Sequence, residues 1–307
     1  MRPPALRLPR PPRHLLPSQS RARHVSSNTL SSLVFPTDAP PNALRHIRLT
    51  TRHEPFPSYT AASDFQTALR QLFLAWKSSP TAQAPSPAVI SFTPKPTYTL
   101  GRRQKALTTS QTARLRAPLL VPTPHGEQNF TPDVVTTDRG GLTTYHGPGQ
   151  ILLWPVLDLR STLFPPLTVR SYARLLETTT QAVCSELGIA TYLSEADPGV
   201  WVESARTDRG GERKIAAMGV HLRRHISGLG TALNVDVQVA GPETRNPWAR
   251  FVPCGLDGKT ATSVAAEMGG EEGEVKDGGW YATRWTEVLA GELGVEYAGS
   301  VDVCVDA

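Results

Sequence analysis

Apolar residues recur at helical spacing through Phe65, Leu69, Leu72, Phe73 and Trp76, which predicts an amphipathic helix ending near Ser78. The run Ser63-Asp64-Phe65-Gln66 ahead of it has the form of a capping box. A second stripe over residues 169–187 stops at Gly188, where a left-handed residue ends helices. A third places Trp280, Trp285, Val288 and Leu289 on one face and ends before Gly294. Short apolar runs predict strands at residues 89–92, 98–100, 133–137, 151–159, 199–203, 214–221 and 232–237. A glycine-rich turn lies between the strands at 133–137 and 151–159. Residues 80–87 form a Pro/Ala/Ser linker. Residues 105–132 read as a polar, irregular insertion, 204–213 as a polar loop, and 269–279 as a Gly/Glu-rich surface insertion. Strands in runs with helices between them predict an α/β (α+β) fold of mixed sheets and packed helices, in one domain over residues 43–307.

Composition alters this picture mainly at the N-terminus. Of the 307 residues, 39% are hydrophobic and 19% charged, the balance of a globular chain. No run of about 18 apolar residues exists to span a bilayer. The net charge is +5, yet six arginines (Arg2, Arg7, Arg10, Arg13, Arg21 and Arg23) precede the first acidic residue, Asp38. The remainder is therefore close to neutral, which argues against a basic nucleic-acid-binding surface. An Arg- and Ser-rich, acid-free leader has the composition of a mitochondrial presequence, expected together with a disordered lead-in over residues 1–42. Cleavage would fall between Arg23 and Ser32. Cys184, Cys254 and Cys304 are too few and too widely spaced for a disulfide framework or a zinc site, and they fit a reducing compartment.

Four segments carry candidate chemistry. Residues 139–150 hold four glycines in twelve positions, with Arg139 at the head and Thr143, Thr144, Tyr145 and His146 in the middle. Paired glycines let backbone N–H groups approach a ligand closely, although an ordinary hairpin also uses them. The P-loop lysine and the dinucleotide glycine spacing are both absent. Cys254 stands between Pro253 and Gly255, where a thiol would be uncrowded; a lone cysteine is also a common small core residue, as Cys184 illustrates. Lys214 heads an apolar strand, and an ammonium beside a thiol favours the thiolate. The run Gly228-Leu229-Gly230-Thr231-Ala232 offers either a flat wall for an apolar chain or a tight bend.

Taken in order, these segments identify a resemblance. The chain resembles the lipoyl(octanoyl) transferases, of the mitochondrial eukaryotic type, over roughly residues 60–290. The motifs that carry it are Arg139-Gly140-Gly141 with residues 144–150, Lys214-Ile215-Ala216-Ala217 with Gly219, residues 232–235, and Pro253-Cys254-Gly255 with Thr262-Ser263. The resemblance implies the fold of biotin and lipoate protein ligases. It implies that Cys254 accepts an octanoyl group from octanoyl-acyl carrier protein as a thioester, and that Lys214 lowers the pKa of that thiol. Arg139, Gly140, Gly141, Leu142, Thr143, Thr144, Tyr145, His146, Ala217, Met218, Gly219, Gly230, Thr231 and Ala232 match the substrate-contacting segments. The acceptor would be a lysine of a lipoyl domain or of the glycine-cleavage H protein, with no cofactor or metal. Two features depart from the pattern. Leu229 stands where members usually have histidine, and the stretch between Asn234 and Cys254 is longer than usual. Alternatives are an ATP-dependent lipoate- or biotin-type ligase, a non-catalytic acyl or lipoyl-domain binder, and a thiol hydrolase using Cys254 with His146.

Overall fold

The computed structural model describes residues 23–24, 27–37, 40, 42–80, 83–123, 126–202, 211–251, 259–269 and 275–305. Most of the expected presequence lies outside them. In chain order the elements are β1 (Arg23–His24), α1 (Ser27–Val34), β2 (Leu44–Thr50), α2 (Tyr59–Ser78), β3 (Ala88–Phe92), β4 (Thr97–Leu100), α3 (Thr109–Leu115), β5 (Leu119–Thr123), β6 (Gly126–Phe130), β7 (Asp133–Thr136) and β8 (Thr143–His146). They continue with β9 (Gln150–Val156), α4 (Val169–Glu186), β10 (Thr191–Leu193), β11 (Val200–Val202), β12 (Arg213–Arg223), β13 (Ile226–Asn234), a 3-10 turn (Pro247–Arg250), β14 (Thr260–Ala261), α5 (Val264–Met268), α6 (Gly278–Leu293) and β15 (Tyr297–Cys304).

Ten strands form one mixed sheet in the order β1-β15-β2-β3-β9-β13-β12-β11-β10, with β14 added beside β12. The β1, β15, β2 and β3 side is parallel; along the path from β3 to β10 the pairings are antiparallel, and β14 joins β12 in parallel. One face of the sheet carries α4 and α6, with Leu176, Val183, Trp285 and Leu289 in its core. The other face is covered by α1 and α2, through Val34, Tyr59, Phe65, Leu69 and Phe73. A small sheet β7-β4-β8 and the hairpin β5-β6 build a third cluster around Tyr98 and Tyr145. Among the described residues, no helix is long and apolar enough to cross a membrane.

The helix ends follow local chemistry. Gly188 and Gly294 adopt φ of 72° and 69° just past α4 and α6, as their positions predicted. The expected capping box at Ser63 is corrected: α2 starts five residues earlier, where the Ser58 hydroxyl accepts from the Ala61 N–H at 3.0 Å. Tyr59 and Ala62 extend the same buried stripe, so packing carries the helix past the internal signal. Within residues 105–132, expected to be irregular, the described chain forms a helix and two strands. Helix α3 is closed by a capping box between Thr108 and Gln111, and the β5-β6 hairpin follows it. Their polar exterior hides the few buried anchors, Leu115, Leu119 and Val121. Within the expected disordered lead-in, α1 buries Leu33 and Val34 against the α2 face.

Two glycine-rich stretches that suggest bends are strands. Residues 143–146 form β8, and the turn is confined to the residues before β9. Gly228 and Gly230 lie inside β13, which begins at Ile226. A side chain at 230 would stand 2.1 Å from the Leu153 carbonyl oxygen, so glycine is what lets β13 lie against β9 there.

Candidate active site

A cavity of about 460 Å³ lies along β12 and β13, roofed by the 139–146 segment and closed at one end by residues 196–198. Its size is that of a small-molecule site. Of the residues matched at the sequence level, Arg139, Gly140, Gly141, Thr144 and His146 line it from one side. Lys214, Ala217, Met218 and Gly219 line it from β12, and Gly230, Thr231 and Ala232 from β13. Leu142 and Thr143 border a different cavity beside Gln104, whose Oε1 accepts from the Thr143 hydroxyl at 2.8 Å. Tyr145 turns into the third core cluster against Tyr98 and Trp248, with ring centroids 5.4 and 5.9 Å away. Cys254 lies outside the described residues. The chain is described up to Phe251 and again from Lys259.

Lys214 is placed by several neighbours. Its Nζ donates to the Pro198 carbonyl at 3.0 Å and sits 4.5 Å from the centroid of the Trp201 ring. Trp201 is its cross-strand partner on β11. The Pro198–Gly199 turn is held by Glu177 of α4, whose carboxylate accepts from the Gly199 N–H at 2.8 Å. Gly199 has φ of 127°, and a Cβ there would meet the Ala216 carbonyl at 2.6 Å and the Lys214 side chain at 3.4 Å. Lys259 approaches the same indole at 4.8 Å and is ion-paired with Asp197 and Glu212.

The described residues on either side of Cys254 are held in place. Before it, Arg250 is buried and donates to the carbonyls of Glu243, Leu115, Ala117 and Pro118. After it, β14 pairs in parallel with Arg213 and Lys214 of β12, and the Thr262 N–H donates to the Lys214 carbonyl at 3.0 Å. The buried ion pair of Arg213 with Glu267, at 3.0 Å, fastens α5 beneath that strand.

The opposite side of the cavity is aromatic and apolar. Tyr59 stacks on His146 with centroids 5.5 Å apart, and meets Trp154 edge-on at 5.2 Å. Burial, with the Arg139 charge a lesser contribution, pushes the His146 imidazole down to about 3 despite its bond to Gln150. His146 is therefore neutral at physiological pH. Arg139 does not extend freely into the cavity. Its guanidinium donates to Thr99 Oγ1 and to the carbonyls of Thr99, Gly140 and Leu142, so it shapes the glycine loop. The Thr231 hydroxyl, almost fully buried, has no hydrogen-bond partner among the described residues.

Leu229 occupies the end of the cavity in a left-handed conformation, φ 60°, with its N–H on Gln66 Oε1 at 2.9 Å. Sequence reasoning did not anticipate the contributions of Tyr59, Trp154, Asp197 or Pro198 to this cavity. Trp154 fell within an expected core strand, Tyr59 lay ahead of the expected helix, and the Pro198-Gly199 dipeptide was the one local signal of a turn. Both cysteines in the described residues are buried, and burial pushes the Cys184 thiol up to about 12. Neither is exposed to a substrate.

Known proteins resemble this chain in sequence and in fold. Residues 64–277 match the lipoyl protein ligase A/B catalytic domain. A Schizosaccharomyces pombe protein named "Probable octanoyltransferase" is 35% identical over 227 residues, covering 72% of this chain and 87% of that one. An octanoyl-[acyl-carrier-protein]:protein N-octanoyltransferase of Danio rerio, named as mitochondrial, is 34% identical over 57% of this chain and 64% of its own. Among solved structures, the bipartite lipoate protein ligase of Thermoplasma acidophilum superposes with a TM-score of 0.51 at 13% identity, covering 85% of this chain and 87% of that one, a likeness of fold.

Proposed function

Because the chain belongs to the lipoyl protein ligase A/B catalytic domain family, we propose that it moves an octanoyl group from an acyl carrier protein to a lysine of a lipoyl-accepting protein through a thioester on Cys254. The protein is an acyltransferase, an octanoyltransferase of protein lipoylation. The observation that carries the cysteine route is the placement of Lys214. Its ammonium stands on an apolar cavity, and the strand that returns from the Cys254 segment is bonded to its own backbone.

In the first step the Cys254 thiolate attacks the thioester carbonyl. A new C–S bond forms, the bond to the carrier breaks, and the departing carrier thiolate takes a proton from the Lys214 ammonium. One thioester replaces another, so the step is nearly balanced. In the second step the acceptor amine attacks the same carbonyl. The C–S bond to Cys254 breaks and an amide forms, which is downhill and needs no nucleotide triphosphate. The ammonium of Lys214 favours the thiolate; after losing its proton, Lys214 takes one from the attacking amine.

Past Ala216, the outer edge of β12 has no paired strand among the described residues. Backbone N–H groups there, beside Gly219, are available to a developing oxyanion, and one good donor contributes about 3 kcal/mol. The octanoyl tail lies along the apolar lining, where seven methyl and methylene groups give roughly 5–6 kcal/mol of gross attraction. His146 is not the general base of a hydrolase. Its ring is buried, held neutral and bonded to Gln150.

The Arg-rich, acid-free leader and the mitochondrial designation of the Danio rerio relative support a mitochondrial site of action. The acceptors proposed are lipoyl domains and the glycine-cleavage H protein. The deciding assay supplies purified lipoyl domain with either octanoyl-carrier protein alone or free octanoate with ATP. Transfer from the first mixture, lost in Cys254→Ala, is expected. Octanoate and ATP supporting the product in Cys254→Ala would replace this reading with an adenylating ligase.

A further inference from the structure

We propose that Gln150 and Asn234 are positioning residues for acyl transfer: they fix His146 with its Nε2 as the acceptor nitrogen of the cavity wall, and they hold the strand returning from the Cys254 segment against Lys214. The proposal rests on the octanoyl-transfer reading for what the cavity does, and on three consecutive hydrogen bonds for the rest.

The chain of bonds has only one consistent direction. At its far end is the Thr262 backbone carbonyl, which can only accept. Asn234 must therefore present Nδ2 to it, and the two atoms are 2.8 Å apart. That leaves Asn234 Oδ1 facing Gln150, which must offer Nε2, again at 2.8 Å. Gln150 Nε2 also reaches the Tyr145 carbonyl at 3.4 Å, a second acceptor that demands the same orientation. Gln150 Oε1 is then turned to His146 Nδ1 at 2.8 Å, so Nδ1 carries the proton. A peptide carbonyl beside the Cys254 segment thus sets the tautomer of a histidine on the acyl cavity. All three side chains are buried, so water competes poorly for these bonds.

Position gives the network its second role. Gln150 and Asn234 face each other across the β9-β13 pairing. Asn234 Nδ2 also lies 3.5 Å from the Lys214 carbonyl, the same carbonyl that receives the Thr262 N–H. One asparagine therefore stitches together the strand bearing Lys214 and the strand that follows the Cys254 segment. Neither amide lines the cavity itself, so both act through the groups they hold.

The test reads the imidazole nitrogens of His146 by NMR in the full chain labelled with 15N-histidine, with no acyl donor present. In the unmodified protein a proton on Nδ1, with no titration between pH 5 and 8, is expected; a proton on Nε2, or titration in that range, overturns the proposal. Gln150→Leu is expected to move the proton to Nε2 and to lower kcat/KM roughly 10- to 100-fold, as small misplacements do. An unchanged tautomer or unchanged kcat/KM overturns it. Gln150→Glu keeps an acceptor on Nδ1, and its charge should raise the pH at which His146 titrates; an unmoved titration counts against the bond. In Asn234→Leu the Gln150 amide is released and mixed tautomers are expected, a single unchanged form removing Asn234 from the account. The tautomer of the unmodified protein is measured without turnover, so its failure is distinct from a failure of octanoyl transfer.

Discussion

At one end of the cavity, Lys214 is partly buried, its ammonium set against a backbone carbonyl and an indole face, while the neighbouring carboxylates Asp197 and Glu212 are engaged by Lys259. At the other end, His146 is buried, stacked on Tyr59 and tied into a chain of amides. In the proposed mechanism the first arrangement presents a positive charge to the Cys254 thiol. The second removes a titratable group from acid–base chemistry and leaves it as a fixed polar wall. Two basic side chains of one cavity are thereby assigned opposite tasks by their surroundings.

The sharpest way to separate the two ends is to remove the groups acting at the first. Cys254→Ser should reduce octanoyl transfer by roughly 10⁴-fold or more, the scale seen when a nucleophile is deleted; single-turnover transfer to a lipoyl domain measures it. Lys214→Ala should cost roughly 10²- to 10⁴-fold, the range of a positioned proton-transfer group. It should also move the alkylation-rate profile of Cys254 to higher pH, and an unmoved profile would leave Lys214 with binding alone.

Acid should act on the histidine end. His46, bonded to Ser91 Oγ at 2.7 Å, and His146 both have folded-state pKa values lowered to about 3, chiefly by burial. Between about 6.5 and about 3 the unfolded chain binds more protons than the folded one, so stability is full above this window and falls as pH decreases through it. Each group contributes at most about 1.4 kcal/mol per pH unit. Urea unfolding from pH 7 to 4.5 measures the slope, and His146→Gln should make it shallower. A smaller effect is expected from Gly199→Ala. The contact with the Ala216 carbonyl and the positive φ should cost about 1–3 kcal/mol of stability, with a loss of activity through the displaced Pro198 carbonyl.

The comparison also explains what the sequence could convey. Helices α4 and α6 were legible because an apolar stripe and a terminal glycine agreed within one segment. The motif residues that line the cavity were legible as short runs on β12 and β13. Residues 228–232 left a cavity wall and a bend both open, because a glycine required by close strand packing looks, in sequence, like a glycine required by a turn. Tyr59, Trp154 and Pro198 reach the cavity only through tertiary packing, and local spacing carries no trace of that. Arg139 stood out in the sequence as a candidate, yet two of the four acceptors its guanidinium meets are on Thr99 of β4, a strand some 40 residues away, and only two are in the glycine loop.

The central claim is a covalent one, and it is most directly tested by mass. The full-length protein, mixed with octanoyl-carrier protein in the absence of any acceptor and digested under mildly acidic conditions, should gain about 126 Da on the peptide containing Cys254, removable by hydroxylamine as a thioester is. Transfer to an added lipoyl domain with no such adduct at any time, or an adduct on a different residue, would contradict the Cys254 route.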